Sequence, residues 1–281
     1  MTSSLRFYLD EILLEVKVPA NQRFMVGDEI CMSKHWSDPL LGCGWYDEGY
    51  AVLTYASNVK YEDLVAKITD VVCKKLSQIF PDKNLSGFSL KHYHEYVSEE
   101  EHRDFADPVL KRLYANDLPG ISEAFVKLVS AELGMNMGFK RELCGDDHWI
   151  ILRINPPCSY AYNPPHKDIY EDFDANGSCP QMVNIWIPVV GVNSLAGLGL
   201  APRSHLLPES KILRSFAGAD MNDRSFSVNM IKSWDGSTSM LNIHPQPGSF
   251  LCFSSHLVHG LGINKNENIT RVALELRLHK Q

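Results

Sequence analysis

In the first half of the chain, apolar residues recur at helical spacing in two segments. They form one face in residues 61–80 and another in residues 118–133, the pattern of an amphipathic α-helix that packs against a core. Pro119 suits the first turn of the second helix, and Gly134 suits the position just after its end. Both segments are therefore predicted as scaffold helices.

After about residue 147 the pattern changes to short apolar or β-branched runs separated by Gly, Pro, Asn and Asp. Such runs with turn residues between them are typical of antiparallel strands in a β-sandwich or barrel. The predicted strands are 149–154, 182–190, 197–201, 225–231, 249–254 and 270–278. We expect one domain over residues 1–281, mainly β with flanking helices, in which 1–146 form a mostly helical support and lid and 147–281 form the core.

Composition and charge narrow the possible functions. Of the 281 residues 44% are hydrophobic and 22% charged, and the net charge is -7, which is ordinary for a soluble globular protein. An acidic chain lacks the basic surface that nucleic acid or an anionic membrane would require. The apolar stretch at the N-terminus contains acidic residues, unlike a secretory signal. We expect a cytoplasmic protein that acts on a small molecule.

The seven cysteines are scattered without a C-x-x-C pair, which argues against a structural zinc site and a disulfide framework. The candidate metal chemistry lies elsewhere. His166 and Asp168 are separated by one residue, so in an extended chain their side chains point to the same side. The motif alone is weak, because a loop salt bridge would look the same.

A second segment strengthens the metal hypothesis. An apolar strand ends at His259, and Arg271 opens the next predicted strand. Two histidines and one carboxylate bind one face of iron(II) and leave positions open for other ligands. Arginine pairs with a carboxylate through two parallel hydrogen bonds and keeps its charge. The four residues His166, Asp168, His259 and Arg271 therefore indicate a metal next to a carboxylate-bearing ligand.

Alternatives exist for two of these roles. His256 lies three residues before His259, but the His-Gly pair and the spacing to Arg271 favour His259 as the ligand. Arg277 lies six residues after Arg271 and can share its face of the strand, yet Arg271 is nearer the strand entry. His205 is predicted to form hydrogen bonds in a turn, and His244 to be structural or solvent-facing.

Taken in order, the motifs resemble the phytanoyl-CoA-dioxygenase-like branch of the iron(II)/2-oxoglutarate-dependent oxygenases. The motifs are HKD at 166–168, NIW at 184–186, GLAPRSH at 199–205, PG at 247–248, HG at 259–260 and Arg271. The resemblance implies a double-stranded β-helix (jelly-roll) core, His166, Asp168 and His259 as iron(II) ligands, and Arg271 as the anchor of the distal carboxylate of 2-oxoglutarate. Arg203 stands where the family usually has glycine.

The resemblance further implies hydroxylation of a C–H bond of a small metabolite, with dioxygen consumed and 2-oxoglutarate converted to succinate and CO2. Asn184 and Trp186 alternate on one predicted strand and are expected to line the co-substrate pocket, although a buried Trp is also common in a core. Tailoring hydroxylases of secondary metabolism, including those of cylindrospermopsin-type alkaloids, are similar. The alternative is a metal-binding, cupin-like isomerase or sensor that does not activate oxygen.

Several further segments are weaker candidates. Arg153, Tyr160 and Tyr162 flank the HKD motif and could contact the pocket. His92 and His94, with Glu99 and Glu100 downstream, resemble half of a cupin motif. No second half follows, so we predict a solvated surface or a lid. Residues 35–50 are rich in aromatics and glycine, which favours a substrate-side loop.

Overall fold

The structure is a computed structural model that describes residues 2–27, 38–55, 59–110, 113–139, 150–159, 162–170 and 181–281. The strands are β1 (Thr2–Leu9), β2 (Ile12–Pro19), β3 (Met25–Val26), β4 (Tyr50–Thr54), β5 (Met137–Gly138), β6 (Ile150–Asn155), β7 (Met182–Val190), β8 (Leu198–Ala201), β9 (Ile212–Arg214), β10 (Ala219–Met221), β11 (Arg224–Phe226), β12 (Ile231–Trp234), β13 (Ser239–Ile243), β14 (Ser249–Ser254), β15 (Val258–Gly260) and β16 (Arg271–Lys280). The α-helices are α1 (Tyr61–Ile79), α2 (Tyr93–Tyr96), α3 (Glu99–Val109) and α4 (Ile121–Leu133). Short 3-10 helices include Asp168–Tyr170, Ser204–Leu206 and Glu209–Lys211.

Two sheets form the core. The larger has the order β4-β14-β7-β16-β5, with β6 also paired to β16, and the smaller has the order β15-β8-β13-β1-β2. Apolar side chains from both sheets meet in one buried cluster that includes Trp186, Leu200, Leu251 and Phe253. The predicted β-rich jelly roll is therefore confirmed.

Strand β7 shows why the sequence folds this way. Its residues are buried along almost the whole strand, as expected of a strand covered on both faces. Because side chains alternate, Ile185 and Ile187 belong to the core cluster that also contains helical residues, whereas Asn184 and Trp186 line a cavity on the opposite side. The same alternation along β16 directs Arg277 into that cavity.

The helices cover the outer face of the larger sheet. The buried stripe of α1, including Leu64 and Ile68, and the buried Phe125 of α4 join one cluster with that sheet, which accounts for both helical patterns in the sequence. Gly120 precedes α4 with a positive φ of 78°, so Pro119 lies before the helix and the prediction that it occupies the first turn was wrong. Within the described residues, no helix is long and apolar enough to cross a membrane.

The remaining strand predictions hold with small shifts, except at residues 225–231. That stretch was predicted as one strand, but it contributes to two, β11 and β12, which join different sheets. The sequence analysis also missed the hairpin of β1 and β2, whose first strand pairs in parallel with β13. The single-domain organisation stays a prediction.

Candidate metal and co-substrate site

The predicted histidine ligands are joined through the backbone. His166, in the loop after β6, and His259, in β15, form an antiparallel bridge in which each N–H donates to the other's carbonyl, at 2.8 and 3.0 Å. The centroids of the two rings lie 4.3 Å apart. The fold thus brings together two residues that are far apart in the chain.

Each imidazole is oriented by a second contact. The Nδ1 atom of His166 lies 2.8 Å from the carbonyl oxygen of Pro164, and Nδ1 of His259 lies 3.0 Å from that of Leu257. A carbonyl only accepts, so Nδ1 carries the hydrogen in both rings and Nε2 is left with its lone pair. This is the usual arrangement around a histidine that binds a metal through Nε2.

Asp168 completes the group at the start of the 3-10 helix Asp168–Tyr170. Its Oδ1 lies 3.5 Å from Nε2 of His166 and its Oδ2 lies 3.6 Å from Nε2 of His259. One ligand atom from each residue lies within 4.8 Å of the others, and all three residues are buried. We call His166, Asp168 and His259 the metal cluster, because their spacing and N2O donor set suit one transition-metal ion.

Arg277 and burial set the charges of the metal cluster. Burial alone would raise the pKa of Asp168, but Arg277, whose Nη2 lies 2.8 Å from Oδ1, and the two histidines hold that pKa well below its usual range. Burial and the neighbouring His166 lower the pKa of His259 to about 4. At neutral pH the carboxylate is charged and this imidazole is neutral, which are the forms that bind a metal.

Arg271 lies in the same cavity, at the start of β16. Its Nη1 donates to Oδ1 of Asn155 at 2.6 Å, and its guanidinium lies 5.1 Å from the ring of Trp186. Burial lowers its pKa to about 10, so it remains charged at neutral pH. Arg277 lies six positions further along β16, a rise of roughly 20 Å along the strand. The two arginines therefore lie at different parts of the cavity.

Some buried polar atoms on the cavity wall have no hydrogen-bond partner among the described residues. These atoms are Oδ1 and Nδ2 of Asn184, Nε1 of Trp186 and Nε of Arg271. We call these three residues the anchor group. Buried polar groups without partners are costly, and here they face the cavity that the metal cluster also lines. The anchor group is therefore suited to a polar ligand beside the metal.

The residues weighed as alternatives lie outside these two groups. His256 is buried, and burial lowers its pKa to about 3, but it is not part of the metal cluster. The Nε2 atom of His205 lies 2.7 Å from the carbonyl oxygen of Tyr46, and Nδ1 of His244 lies 3.0 Å from that of Asn242. Each imidazole thus contacts a backbone carbonyl oxygen, as is common for structural histidines.

Two further candidates do line the cavity. Arg153 pairs with Glu275 at 3.0 Å, and Tyr162 is buried in the wall. Tyr160 lies outside the described residues. The described part of the 35–50 stretch does not line this cavity; instead Asp38 accepts a hydrogen bond from Ser254. Residues 35–37 lie outside the described ranges.

The histidine-rich segment at 92–100 is mainly structural. Nδ1 of His94 lies 2.8 Å from Oγ1 of Thr270, directly before Arg271, and His92 pairs with Glu95 on the surface at 3.0 Å. Ser98 begins α3 with a capping box to Glu101. The solvated-surface interpretation therefore fits His92.

Sequence reasoning missed two features. Arg277 was considered only as a rival to Arg271, whereas it contacts Asp168; its position on the same strand face was the available signal. Glu209, fully buried behind the HKD motif, had no signal, because an isolated acidic residue after a proline is typical of a surface turn.

No family model matches the chain, and no curated protein matches it. Similar solved structures exist. EvdO2 from Micromonospora carbonacea var. aurantiaca aligns with a TM-score of 0.55 and 16% identity, covering 91% of this chain and 93% of EvdO2. A structure of EvdO2 complexed with 2-oxoglutarate gives 0.54 and 17% over the same shares. This chain has an EvdO2-like fold.

Two other solved structures are less similar. EvdMO1 aligns with a TM-score of 0.48 and 18% identity over 83% of this chain, but this chain spans only 48% of the length of EvdMO1. EctD from S. alaskensis, solved with 2-oxoglutarate and 5-hydroxyectoine, gives 0.48 and 14% over 94% of this chain and 86% of EctD. The fold assignment rests on EvdO2.

Proposed function

We propose that the protein is a non-haem iron(II), 2-oxoglutarate-dependent oxygenase that hydroxylates a C–H bond of a small metabolite. One observation carries the proposal: the metal cluster and the buried guanidinium of Arg271 line one cavity. A simple metal site has no need of a buried arginine at that place. A dicarboxylate that reaches from the metal to Arg271 would need both.

The metal cluster fits iron(II). Two imidazole nitrogens and one carboxylate oxygen on one side of an ion leave the opposite positions open for co-substrate and dioxygen. The backbone bridge and the two Nδ1 contacts preset the histidines, and Arg277 holds Asp168 in its charged form. In the proposed enzyme these residues therefore bind the ion with little rearrangement.

The anchor group fits 2-oxoglutarate. Arg271 would pair with the distal carboxylate, and Asn155 already orients its guanidinium. Trp186 Nε1 and the amide of Asn184 would donate to the remaining oxygens, which would satisfy buried atoms that otherwise have no partner. Several charge-assisted hydrogen bonds would thus hold the co-substrate in one orientation.

Iron(II) with 2-oxoglutarate and dioxygen would supply the oxidant for C–H hydroxylation, while 2-oxoglutarate is converted to succinate and CO2. The protein's own part is to bind, orient and exclude water. Buried walls such as Phe253 and Leu198 keep this part of the cavity apolar. The carboxylate of Asp168 would hold the metal at a position that a halide would otherwise need, which favours hydroxylation over halogenation.

For the primary substrate, we infer a small molecule of secondary metabolism, including alkaloids of the cylindrospermopsin type. The support is the resemblance of the motif order to tailoring hydroxylases. We further propose that the protein acts in the cytoplasm, which its scattered cysteines and acidic net charge support. One domain over residues 1–281 is part of the same proposal.

The alternative function is a metal-binding isomerase or sensor without oxygen activation. The decisive experiment adds iron(II) and then 2-oxoglutarate to the metal-free protein without air. We expect a weak visible charge-transfer band, and succinate after air is admitted with a panel of metabolites. Metal binding with neither band nor succinate would support the alternative.

A matched variant sharpens this experiment. Arg271→Met removes the proposed anchor and leaves the metal cluster intact, so iron(II) should still bind while the band requires far more 2-oxoglutarate. Arg6→Met, on strand β1 and outside the lining of this cavity, is the control. An equal response of both variants would argue against Arg271 as the anchor.

A further inference from the structure

Behind the HKD motif lies a buried charged cluster outside the cavity. Lys167 Nζ lies 3.2 Å from Oε1 of Glu209, and both side chains are fully buried. The hydroxyl of Tyr170 donates to Oε2 of the same carboxylate at 2.6 Å. Arg214 Nε lies 3.5 Å from that oxygen. Glu209 thus holds two residues of one short segment, at positions 167 and 170.

The alternation of side chains along residues 166–168 connects this cluster to the metal ligands. His166 and Asp168 point into the cavity, so Lys167 between them points to the opposite side. The next residues form the 3-10 helix Asp168–Tyr170, whose last residue, Tyr170, returns to Glu209. The contacts of Glu209 therefore bracket Asp168 on both sides along the chain.

The cluster is tightly enclosed. The N–H of Gly27 donates to the carbonyl of Glu209 at 3.2 Å, and a Cβ at position 27 would lie only 2.7 Å from Oε2. The guanidinium of Arg214 lies 3.9 Å from the ring centroids of both Tyr170 and Phe216. A buried carboxylate so surrounded cannot move without leaving a charge unpaired, which is strongly disfavoured.

Asp168 needs this support more than the histidines do. His166 and His259 fix each other through two backbone hydrogen bonds. The backbone of the segment after Asp168 has a weaker link, from the N–H of Ile169 to the carbonyl of Ser255 at 3.4 Å. Inside the cavity, Arg277 contacts the carboxylate oxygen Oδ1 of Asp168.

We propose that Glu209 is a positioning residue for Asp168. It acts through Lys167 and Tyr170, from the side of the 166–170 segment that faces away from the cavity. The proposal rests on the proposed function in one respect, that Asp168 ligates the metal. It assigns to Glu209 the task of keeping the carboxylate where the two Nε2 atoms converge.

The test measures metal affinity rather than activity alone. Metal-free protein is titrated with Co²⁺ and followed by its visible absorption, which reports both affinity and coordination. The variants are Glu209→Gln and Tyr170→Phe. Partners that orient metal ligands typically contribute 10–100-fold in affinity, so we expect a loss of about 10–100-fold for Glu209→Gln and a loss of several-fold for Tyr170→Phe.

Two control variants remove comparable contacts in the helical layer. Tyr93→Phe deletes a buried hydroxyl 3.1 Å from Nδ1 of His102, and Glu101→Gln weakens the ion pair with Lys83 at 2.7 Å. Both should lower thermal stability but leave the Co²⁺ affinity and spectrum unchanged. A general loss of stability would instead affect all four variants alike.

The outcomes separate the two proposals. Folded Glu209→Gln and Tyr170→Phe proteins with wild-type Co²⁺ affinity would overturn the role of Glu209 while leaving the proposed function intact. If Glu209→Gln does not fold, Tyr170→Phe decides alone. A wild-type protein that binds no Co²⁺ would overturn both proposals together.

Discussion

The metal cluster and the anchor group line the same cavity but differ in how the protein satisfies them. Both histidines of the metal cluster have backbone acceptors for Nδ1, and Asp168 is paired with Arg277. Each residue of the anchor group has at least one buried polar atom without a partner in the described part of the chain.

This difference indicates that the two groups are arranged differently before any ligand binds. The metal cluster is preorganised, because its contacts fix the ligand atoms in advance. In the anchor group, burial of unpaired polar atoms destabilises the ligand-free protein. A bound ligand would remove this cost, because the unpaired atoms would gain hydrogen bonds. Substitutions in the two groups should therefore give separable effects on metal and co-substrate binding.

The largest effect is expected from Asp168→Ala. Loss of the only carboxylate in the cluster should reduce iron(II) affinity by roughly 100-fold or more, above the range for residues that only orient ligands. Succinate formation should be abolished. Titration with Co²⁺ and a succinate assay measure both, and His259→Ala should behave alike. Activity that survives either change would show that the ligand assignment is wrong.

Arg271→Met should damage the anchor group and spare the metal cluster. Losing one partner of a buried charge pair costs about 2–5 kcal/mol, so the dissociation constant of 2-oxoglutarate should rise roughly 30- to 3000-fold. Co²⁺ affinity should change less than about twofold, as expected for independent sites. Equilibrium binding with each ligand checks this separation.

Arg271→Lys refines that measurement. Lysine keeps the charge but lacks the planar fork that pairs with both carboxylate oxygens. Its affinity for 2-oxoglutarate should lie between those of the wild type and Arg271→Met. A lysine variant as weak as the methionine variant would point to geometry rather than charge as the main contribution.

Trp186→Phe should have a smaller effect. It keeps an aromatic ring beside Arg271 and removes only the Nε1 donor, a contribution of about 1 kcal/mol. The dissociation constant of 2-oxoglutarate should therefore rise about fivefold, with no change for Co²⁺. Unchanged 2-oxoglutarate binding would place Trp186 in the core alone, the alternative raised by its sequence.

Arg203→Gly should change neither metal binding nor co-substrate binding. Arg203 has a φ of 66°, and a left-handed conformation costs roughly 1–2 kcal/mol for a residue with a side chain. Glycine removes this strain but adds freedom to the unfolded chain, so we expect a gain in unfolding free energy of about 1 kcal/mol or less. Denaturant unfolding measures it. A change in metal affinity would link this turn to the site.

Much of this arrangement could be predicted from sequence, because strands such as β7 and β14 are marked by their own apolar residues. The positive φ of Arg203 likewise fits the glycine that usually stands there. The order of HKD and His259 was informative because a facial metal site needs two imidazoles and a carboxylate close together. Arg271 added a cation that such a site alone does not require.

What could not be predicted depends on contacts between distant segments. Strand alternation places Arg277 on the cavity side of β16, but its pairing with Asp168 depends on where the loop after β6 passes. The burial of Glu209 depends on its contacts with Lys167 and Tyr170 and leaves no periodic signal. The β1–β2 hairpin was readable in principle, since Phe7 and Leu9 alternate with exposed residues.

That hairpin has a practical consequence. Strand β1 pairs in parallel with β13 through Tyr8 and Leu9, so removing the whole strand would leave the backbone groups of β13 at that edge unpaired. Exposed sheet edges of this kind recruit strands from other molecules and promote aggregation. Shortened versions of the protein should therefore retain both strands.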